Sequence, residues 1–299
     1  MPETYEKLAS LILLGLFSGL VVISAGFCWS RLLQRYGWPG SAIGSLIALS
    51  FLIWETAIRR VPIRALVAML LLAGTALIPD DEKKIVSAPR LLLIASAGVL
   101  LASIIDEPMR LQGLLVVCTV CVTFAFAGFD KRHIATNQTQ LLLLVTMVGI
   151  LTIVPDTEKV ALFVGILLAA TLLALPLRLA ALEQTEMIAG LFVWIICVGG
   201  HGRLASIIAS IGCLGLLLAE PLVCLVAKNK YLTNRGTPIF EFIIHCVSIA
   251  IVLRLARTTP DIEQAAVAVA AALSFAVVTL ITLQVLMNRI QKQQSTSPE

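Results

Sequence analysis

Leu8-Ala9-Ser10-Leu11-Ile12-Leu13-Leu14-Gly15-Leu16-Phe17-Ser18-Gly19-Leu20-Val21-Val22-Ile23-Ser24-Ala25-Gly26-Phe27-Cys28 contains no charged residue. A spanning α-helix needs about 20 predominantly apolar residues, so this run predicts a helix that crosses a membrane. It follows Glu3, Glu6 and Lys7. A cleaved leader has a basic start and a shorter apolar core, so a retained first helix is expected. Further apolar segments occupy 41–56, 65–79, 90–105, 112–129, 139–154, 159–182, 187–199, 203–226, 238–256 and 264–287. The short ones at 41–56 and 139–154 are open to two readings, spanning or re-entrant. The count of transmembrane helices is therefore nine to eleven.

Composition agrees. Of 299 residues, 59% are hydrophobic and 13% charged, against about 45–50% and about 25% in soluble domains. That excludes a soluble enzyme, a disordered chain and a nucleic-acid binder. Barrel strands alternate polar and apolar residues, and these runs are continuous, so a β-barrel is excluded too. The expected fold is an all-α, polytopic integral membrane bundle. Residues 1–290 form its single transmembrane domain, and the polar stretch 291–299 is a disordered cytoplasmic tail.

The net charge of +4 comes from 22 Lys and Arg against 18 Asp and Glu. Most basic residues flank apolar segments, where headgroups attract them. If all eleven segments span, thirteen Lys and Arg fall on one side and nine on the other; if 41–56 and 139–154 do not, the split is twelve to ten. Both place the N-terminus outside and the C-terminus inside. The seven cysteines, 28, 118, 121, 197, 213, 224 and 246, read as small buried hydrophobes, and Cys118-x-x-Cys121 as packing.

Two patterns recur. Pro79-Asp80-Asp81-Glu82, Pro155-Asp156-Thr157-Glu158 and Pro260-Asp261-Ile262-Glu263 each precede an apolar segment. Carboxylates there cap a first helical turn and suit its positive end. The second pattern pairs Ile94-Ala95-Ser96-Ala97-Gly98 with Ile208-Ala209-Ser210-Ile211-Gly212, each followed by Glu-Pro, at Glu107-Pro108 and Glu220-Pro221. A separation of five helices, from the fourth segment to the ninth, gives them opposite directions, as in inverted-repeat transporters.

Ionisable residues in or beside spanning segments are costly and mark candidate sites. Asp106-Glu107 ends an apolar run, where paired carboxylates hold a divalent metal or act as a base. Glu183 and Glu186, three apart and after Arg178, share a helix face. Glu220 lies beside Pro221 in an apolar stretch. Lys228-Asn229-Lys230-Tyr231-Leu232-Thr233-Asn234-Arg235-Gly236-Thr237 has the charge and the turn to bind phosphate. His133, His201 and His245 are far apart and have no metal-ligand spacing.

The order of these features resembles the polyprenyl-phosphate N-acetylhexosamine-1-phosphate transferases, of the glycosyltransferase family 4 type. Asp106-Glu107 is similar to that family's Asp-Asp pair. Glu183-Gln184-Thr185-Glu186-Met187-Ile188-Ala189-Gly190 looks like its Asp-Gly-x-Asp-Gly segment, Glu220 falls at its Asn, and Thr233-Asn234-Arg235-Gly236-Thr237 resembles its Gly-Asp-x-Gly-Ser. The run Leu280 to Lys292, ending in Asn288-Arg289-Ile290-Gln291-Lys292, resembles the helix that follows. The resemblance implies a bacterial inner-membrane protein of cell-envelope polysaccharide synthesis. Its site would use Asp106, Glu107, Glu183 and Glu186 in catalysis, with Mg²⁺ on Asp106 and Glu183. Glu220, Lys228, Lys230, Asn234 and Arg235 would bind substrate. The substrates implied are a UDP-sugar and undecaprenyl phosphate, and the partners are membrane lipid, a second copy of the chain, or a glycan-assembly protein. Departures are many. Gln184 and Met187 replace glycines, Leu177 and Ala180 replace asparagines, and Thr233-Asn234 replaces Gly-Asp. They imply a pseudoenzyme that has lost transfer. The alternative reading is a secondary transporter of ten or eleven helices with a mid-membrane site around Glu220, His245 and Arg178. A membrane subunit without a small-molecule site is a third.

Overall fold

Each of the eleven apolar segments folds as helix in the computed structural model of the chain, and the segment 203–226 folds as two. The structure describes residues 2–34, 43–58, 62–75, 78, 87–104, 109–132, 138–174, 185–199, 203–227, 238–256 and 261–295. Among these it forms α1 (Pro2–Gln34), α2 (Ile43–Ile58), α3 (Ile63–Gly74), α4 (Ala88–Ala102), α5 (Met109–Arg132) and α6 (Gln138–Ile150). The second half holds α7 (Glu158–Ala174), α8 (Thr185–Gly199), α9 (Leu204–Gly212), α10 (Gly215–Ala227), α11 (Pro238–Ala256) and α12 (Ile262–Ser295). No strand occurs among the described residues. The chain is an all-α bundle. Stretches within α1, α11 and α12, namely Tyr5–Trp29, Ile239–Ala256 and Ile262–Leu283, are long and apolar enough to cross a membrane. α12 continues five residues into the polar stretch expected to be disordered, because Gln and Lys are good helix formers.

Side-chain contacts set the direction of each helix. α1 and α7 are parallel: Lys7 Nζ lies 2.6 Å from Glu158 Oε1, Gly15 faces Leu162 and Gly165, and Gly19 faces Ile166 and Ala169. α2 opposes both, because Gly26 packs on Leu46, Ser18 Oγ donates to the Ser50 carbonyl at 3.4 Å, and Glu55 pairs with Lys159. α8 runs with α2, through Ser45 to Met187 and Phe51 to Trp194. Arg90 at the start of α4 reaches Thr75 at the end of α3, and Arg64 at the start of α3 donates to the Ser103 carbonyl past the end of α4. α6 runs with α11, through Leu142 to His245 and Gly149 to Ile249. α9 and α10 oppose α11 and run with α12: Gly212 meets Val252 and Val269, and Gly215 meets Ser248 and Ala272.

These directions make eleven alternating passes from one end of the bundle to the other, with α9 and α10 as a single broken pass. The N-terminus starts at what we term the Lys7 end, and α12 finishes at the Glu186 end. Both doubtful segments, 41–56 and 139–154, traverse the bundle as α2 and α6. Neither is a hairpin at its edge.

Lipid tails are as apolar as leucine, so close packing must hold such helices together. The tightest seam joins α1 to α7, where Gly15 and Gly19 meet Gly165 and Ala169 with almost no side chain between. Above it, Phe51 makes edge contacts with Phe163 and Trp194, with centroids 5.8 Å apart in both pairs. The break between α9 and α10 has a local cause. The Cys213 amide is shared between the Ala209 and Ser210 carbonyls, and the Leu214 amide donates to Ile211 at 2.9 Å, so the turn tightens. Ser210 Oγ donates to the Ser206 carbonyl, a bond that bends helices, and Gly212 and Gly215 flank the bend. The Ile-Ala-Ser echo is a packing stripe in both copies. Gly98 lies on Val116 and Thr119 of α5, and Gly212 on α11 and α12.

Candidate functional site

Three helix ends meet at the Glu186 end. α3 stops as Thr75 Oγ1 donates to the Leu72 carbonyl at 2.6 Å, and the chain turns so that the Ile78 amide donates back to Thr75 at 3.1 Å. α4 opens with Pro89 in its first turn, where a missing amide costs least. Arg90 follows. Its Nε donates to the Thr75 carbonyl at 3.2 Å and its Nη2 to the Ile78 carbonyl at 3.1 Å. A planar guanidinium spans two carbonyls in this way where an ammonium does not. Its Nη1 lies 3.7 Å from Glu186 Oε1, and the two side chains are 13% and 8% exposed. Glu186 sits in the first turn of α8, so the helix dipole and Arg90 both favour its negative charge. Next along α8, Met187 is buried and its sulfur accepts from Ser45 Oγ at 3.4 Å.

Of the candidate residues, Glu186 and Glu220 are described. Asp106, Glu107, Glu183, Lys228, Lys230, Asn234 and Arg235 lie outside the described residues, as do Arg178, His133 and His201. The helix ends that flank them are described. α4 ends and α5 begins at the Lys7 end, on either side of Asp106-Glu107. α7 ends and α8 begins at the Glu186 end, on either side of Glu183. α10 ends and α11 begins there too, on either side of the basic stretch 228–237. The stretch between α3 and α4, which holds Asp80-Asp81, also starts and finishes at the Glu186 end, at Ile78 and Ser87. Glu220 is buried in α10, seven residues and about 10 Å of helix rise from that helix's end.

The interior holds further polar groups: His245, which the transporter reading places at its site, and others that the sequence did not single out. His245 Nε2 lies 2.8 Å from Thr146 Oγ1 and 3.1 Å from the Leu142 carbonyl. The carbonyl only accepts, and the Thr146 hydroxyl already donates to it. The neutral ring therefore carries its proton on Nε2. Nearby on α6, Gln140 is 1% exposed, and neither of its amide atoms has a partner among the described residues. At the Lys7 end, Lys159 Nζ is 2.6 Å from Glu55 Oε1 and 5.3 Å from the Trp194 ring centroid. The ion pair ties α2 to α7, and the ring contact adds α8.

Capping is visible in one of the three acidic loops: Asp156 Oδ1 accepts from the Glu158 amide at 3.2 Å. Among the described residues no three His, Cys, Asp or Glu side chains group closely enough to hold a metal ion. No protein-family profile matches the chain, and no curated protein matches it.

Proposed function

We propose that the chain is a diverged relative of the polyprenyl-phosphate sugar-1-phosphate transferases, a bacterial inner-membrane protein that retains a lipid-phosphate site at the Glu186 end and has lost transfer. One observation carries the reading: Arg90 joins the end of α3, the start of α4 and the start of α8. That junction brings the flanks of Asp80-Asp81 to the same end as Glu186, the flanks of Glu183 and those of the basic stretch 228–237. The family's order of motifs is kept if its acidic pair corresponds to Asp80-Asp81. Asp106-Glu107, flanked by helix ends at the Lys7 end, does not fit that role.

In such an enzyme the lipid phosphate attacks the β-phosphorus of a UDP-sugar, the bond between the two phosphates breaks, and UMP leaves. Positioned charge does most of the work. Here Arg90, Lys228, Lys230 and Arg235 supply positive charge for a phosphate. The substitutions at Leu177, Ala180, Gln184, Met187 and Thr233-Asn234 support loss of the chemistry. The Glu186 end adjoins thirteen of the 22 Lys and Arg residues, which supports placing it in the cytoplasm.

The test uses purified protein in detergent with Mg²⁺, UDP-N-acetylglucosamine and undecaprenyl phosphate. Native mass spectrometry is expected to show retained undecaprenyl phosphate, and no UMP is released. UMP release overturns the loss of transfer. Retention no better than that of phosphatidylglycerol overturns the kinship.

A transporter is the second reading. The broken pass α9–α10 and the opposite directions of α4 and α9 favour it. It expects the buried Cys213 thiol to change labelling rate when a solute is supplied, with no preference for lipid phosphate.

A further inference from the structure

We propose that His245 and Glu241 form a proton-binding site inside the bundle, loaded from the Glu186 end. Neither group belongs to the lipid-phosphate site proposed above. The His245 ring is fully buried. Its Nε2–H is committed to α6, where Thr146 Oγ1 and the Leu142 carbonyl accept it. Nδ1 is then a bare lone pair, and it accepts no hydrogen bond among the described residues. A buried acceptor without a donor is costly, and an ionisable group inside a spanning segment marks a functional site. Such a lone pair takes a donor, and of all donors a proton needs the least room.

Glu241 is placed to stabilise the loaded ring. It lies four residues before His245 on α11, so the two share a face, with Cβ atoms about 5–6 Å apart. Side chains lean towards the N-terminus of their helix, which carries the ring over the Glu241 turn. Nδ1 is bonded to the ring carbon that bears Cβ, so it stays on the α11 side of the ring. Glu241 is buried and lies in the first turn of α11, the turn nearest the Glu186 end. It has contacts of its own, and a carboxylate with about four acceptor positions has room for another. Loading balances. A proton from solvent at the Glu186 end joins the carboxylate. The carboxyl O–H bond then breaks as an Nδ1–H bond forms, and its electron pair stays on oxygen. The product is an imidazolium beside a carboxylate, two charges that attract strongly in the interior. The imidazolium keeps its Nε2–H on α6, now as a charge-assisted donor, so a loaded site clamps α6 to α11.

Few other titratable groups come near. α6 and α9 have none along their length, and α12 has none between Glu263 and Arg289. On α11 the others are Cys246, beside His245, and Arg254 near the far end. Cys213 sits at the break between α9 and α10, and α10 carries Cys224 and Glu220. Gly215 meets Ser248 and the two helices run in opposite directions, so Glu220 is level with Ile243. It is turned roughly 140° round α10 from Gly215, away from α11.

The experiment follows the imidazole nitrogens of ¹⁵N-histidine-labelled full-length protein in lipid nanodiscs by solid-state NMR. His133→Gln and His201→Gln leave one ring. Its two nitrogens differ widely in shift when the ring is neutral and nearly coincide in the imidazolium. On acidification from about pH 8 to about pH 5 they are expected to converge, and in Glu241→Gln the convergence is lost. Glu220→Gln is expected to titrate like the parent. A ring that stays neutral throughout in the parent overturns the proposal, as does equal titration in Glu241→Gln. Loss of titration in Glu220→Gln overturns the assignment to Glu241. If Glu241→Gln does not fold, a cross-peak between Nδ1–H and the Glu241 carboxyl carbon in the acidified parent decides: its presence supports the site and its absence overturns it.

Discussion

Replacing Gly15 by alanine tests the seam that organises the bundle. A Cβ at Gly15 runs into the Leu162 carbonyl oxygen of α7, and one at Gly165 runs into the Ile12 carbonyl and the Leu16 amide of α1. The obstacles are backbone atoms, so no rotamer change relieves them and the helices must separate. Against backbone that cannot turn away, overpacking costs about 2–3 kcal/mol, the upper part of the usual range. Alanine returns up to about 1 kcal/mol of helix propensity, which leaves a net loss of roughly 1–2 kcal/mol for either variant. Gly113 in α5 has nothing within 4 Å of the same added atom, so Gly113→Ala keeps the propensity gain and meets no clash. Unfolding is followed in detergent with a thiol-reactive dye, because Cys197 and Cys213 are buried in the folded protein. At about 2–4 °C per kcal/mol for a chain of this size, Gly15→Ala and Gly165→Ala lower Tm by roughly 2–8 °C. Gly113→Ala leaves it level or raises it. Equal melting of Gly15→Ala and Gly113→Ala would refute the close approach of α1 to α7.

Three other outcomes are expected. Lys159→Met strands Glu55 in the interior and costs about 3–5 kcal/mol, while the double variant Lys159→Met/Glu55→Leu recovers most of it; a double-mutant cycle in Tm shows whether it does. Gln140→Leu removes two buried amide atoms that have no partner among the described residues and raises stability by about 1 kcal/mol, and a lower Tm would mean that the amide has a bound partner. In a cysteine-free background, single cysteines at Ser87 and Ser103 label from opposite sides of an oriented membrane, since they flank the two ends of α4. Labelling of both from one side would rule out the alternating passes.

Much of the fold is legible in apolar runs, because a run of 15–25 uncharged residues has few other ways to satisfy its backbone. The eleven segments were found from that alone. The break at Cys213 was not, because the hydropathy of 203–226 is continuous and the bend comes from Ser210, Gly212 and Gly215 acting together. The α1–α7 seam had a visible signal, Gly15-x-x-x-Gly19 and Gly165-x-x-x-Ala169, small residues at one-turn spacing. What no pattern gives is the partner helix, which follows from the packed bundle. The Arg90 junction is harder still. Arg90 reads as an ordinary basic residue at a segment end, and its role depends on two carbonyls of the preceding turn.

The largest consequence comes from parity. Leaving 41–56 and 139–154 out of the count puts Asp106-Glu107 on the side of Glu183 and sends Asp80-Asp81 to the other. When α2 crosses, every stretch between it and α6 changes side, and the assignment reverses. When α6 crosses, everything after it returns, so Glu183 and the stretch 228–237 keep their side in both counts. A single doubtful segment therefore decides which acidic pair shares an end with Glu186. The contacts of α2 settle its direction independently of hydropathy: Ser45 meets Met187 and Phe51 meets Trp194, while Glu55 meets Lys159 at the far end. Three contacts spaced along one helix cannot be made by a hairpin lying at one edge. The charge count moves the same way, from twelve against ten to thirteen against nine. Pro79-Asp80-Asp81-Glu82 lies outside the described residues, but the chain leaves α3 at Ile78 and returns at Ser87, both at the Glu186 end.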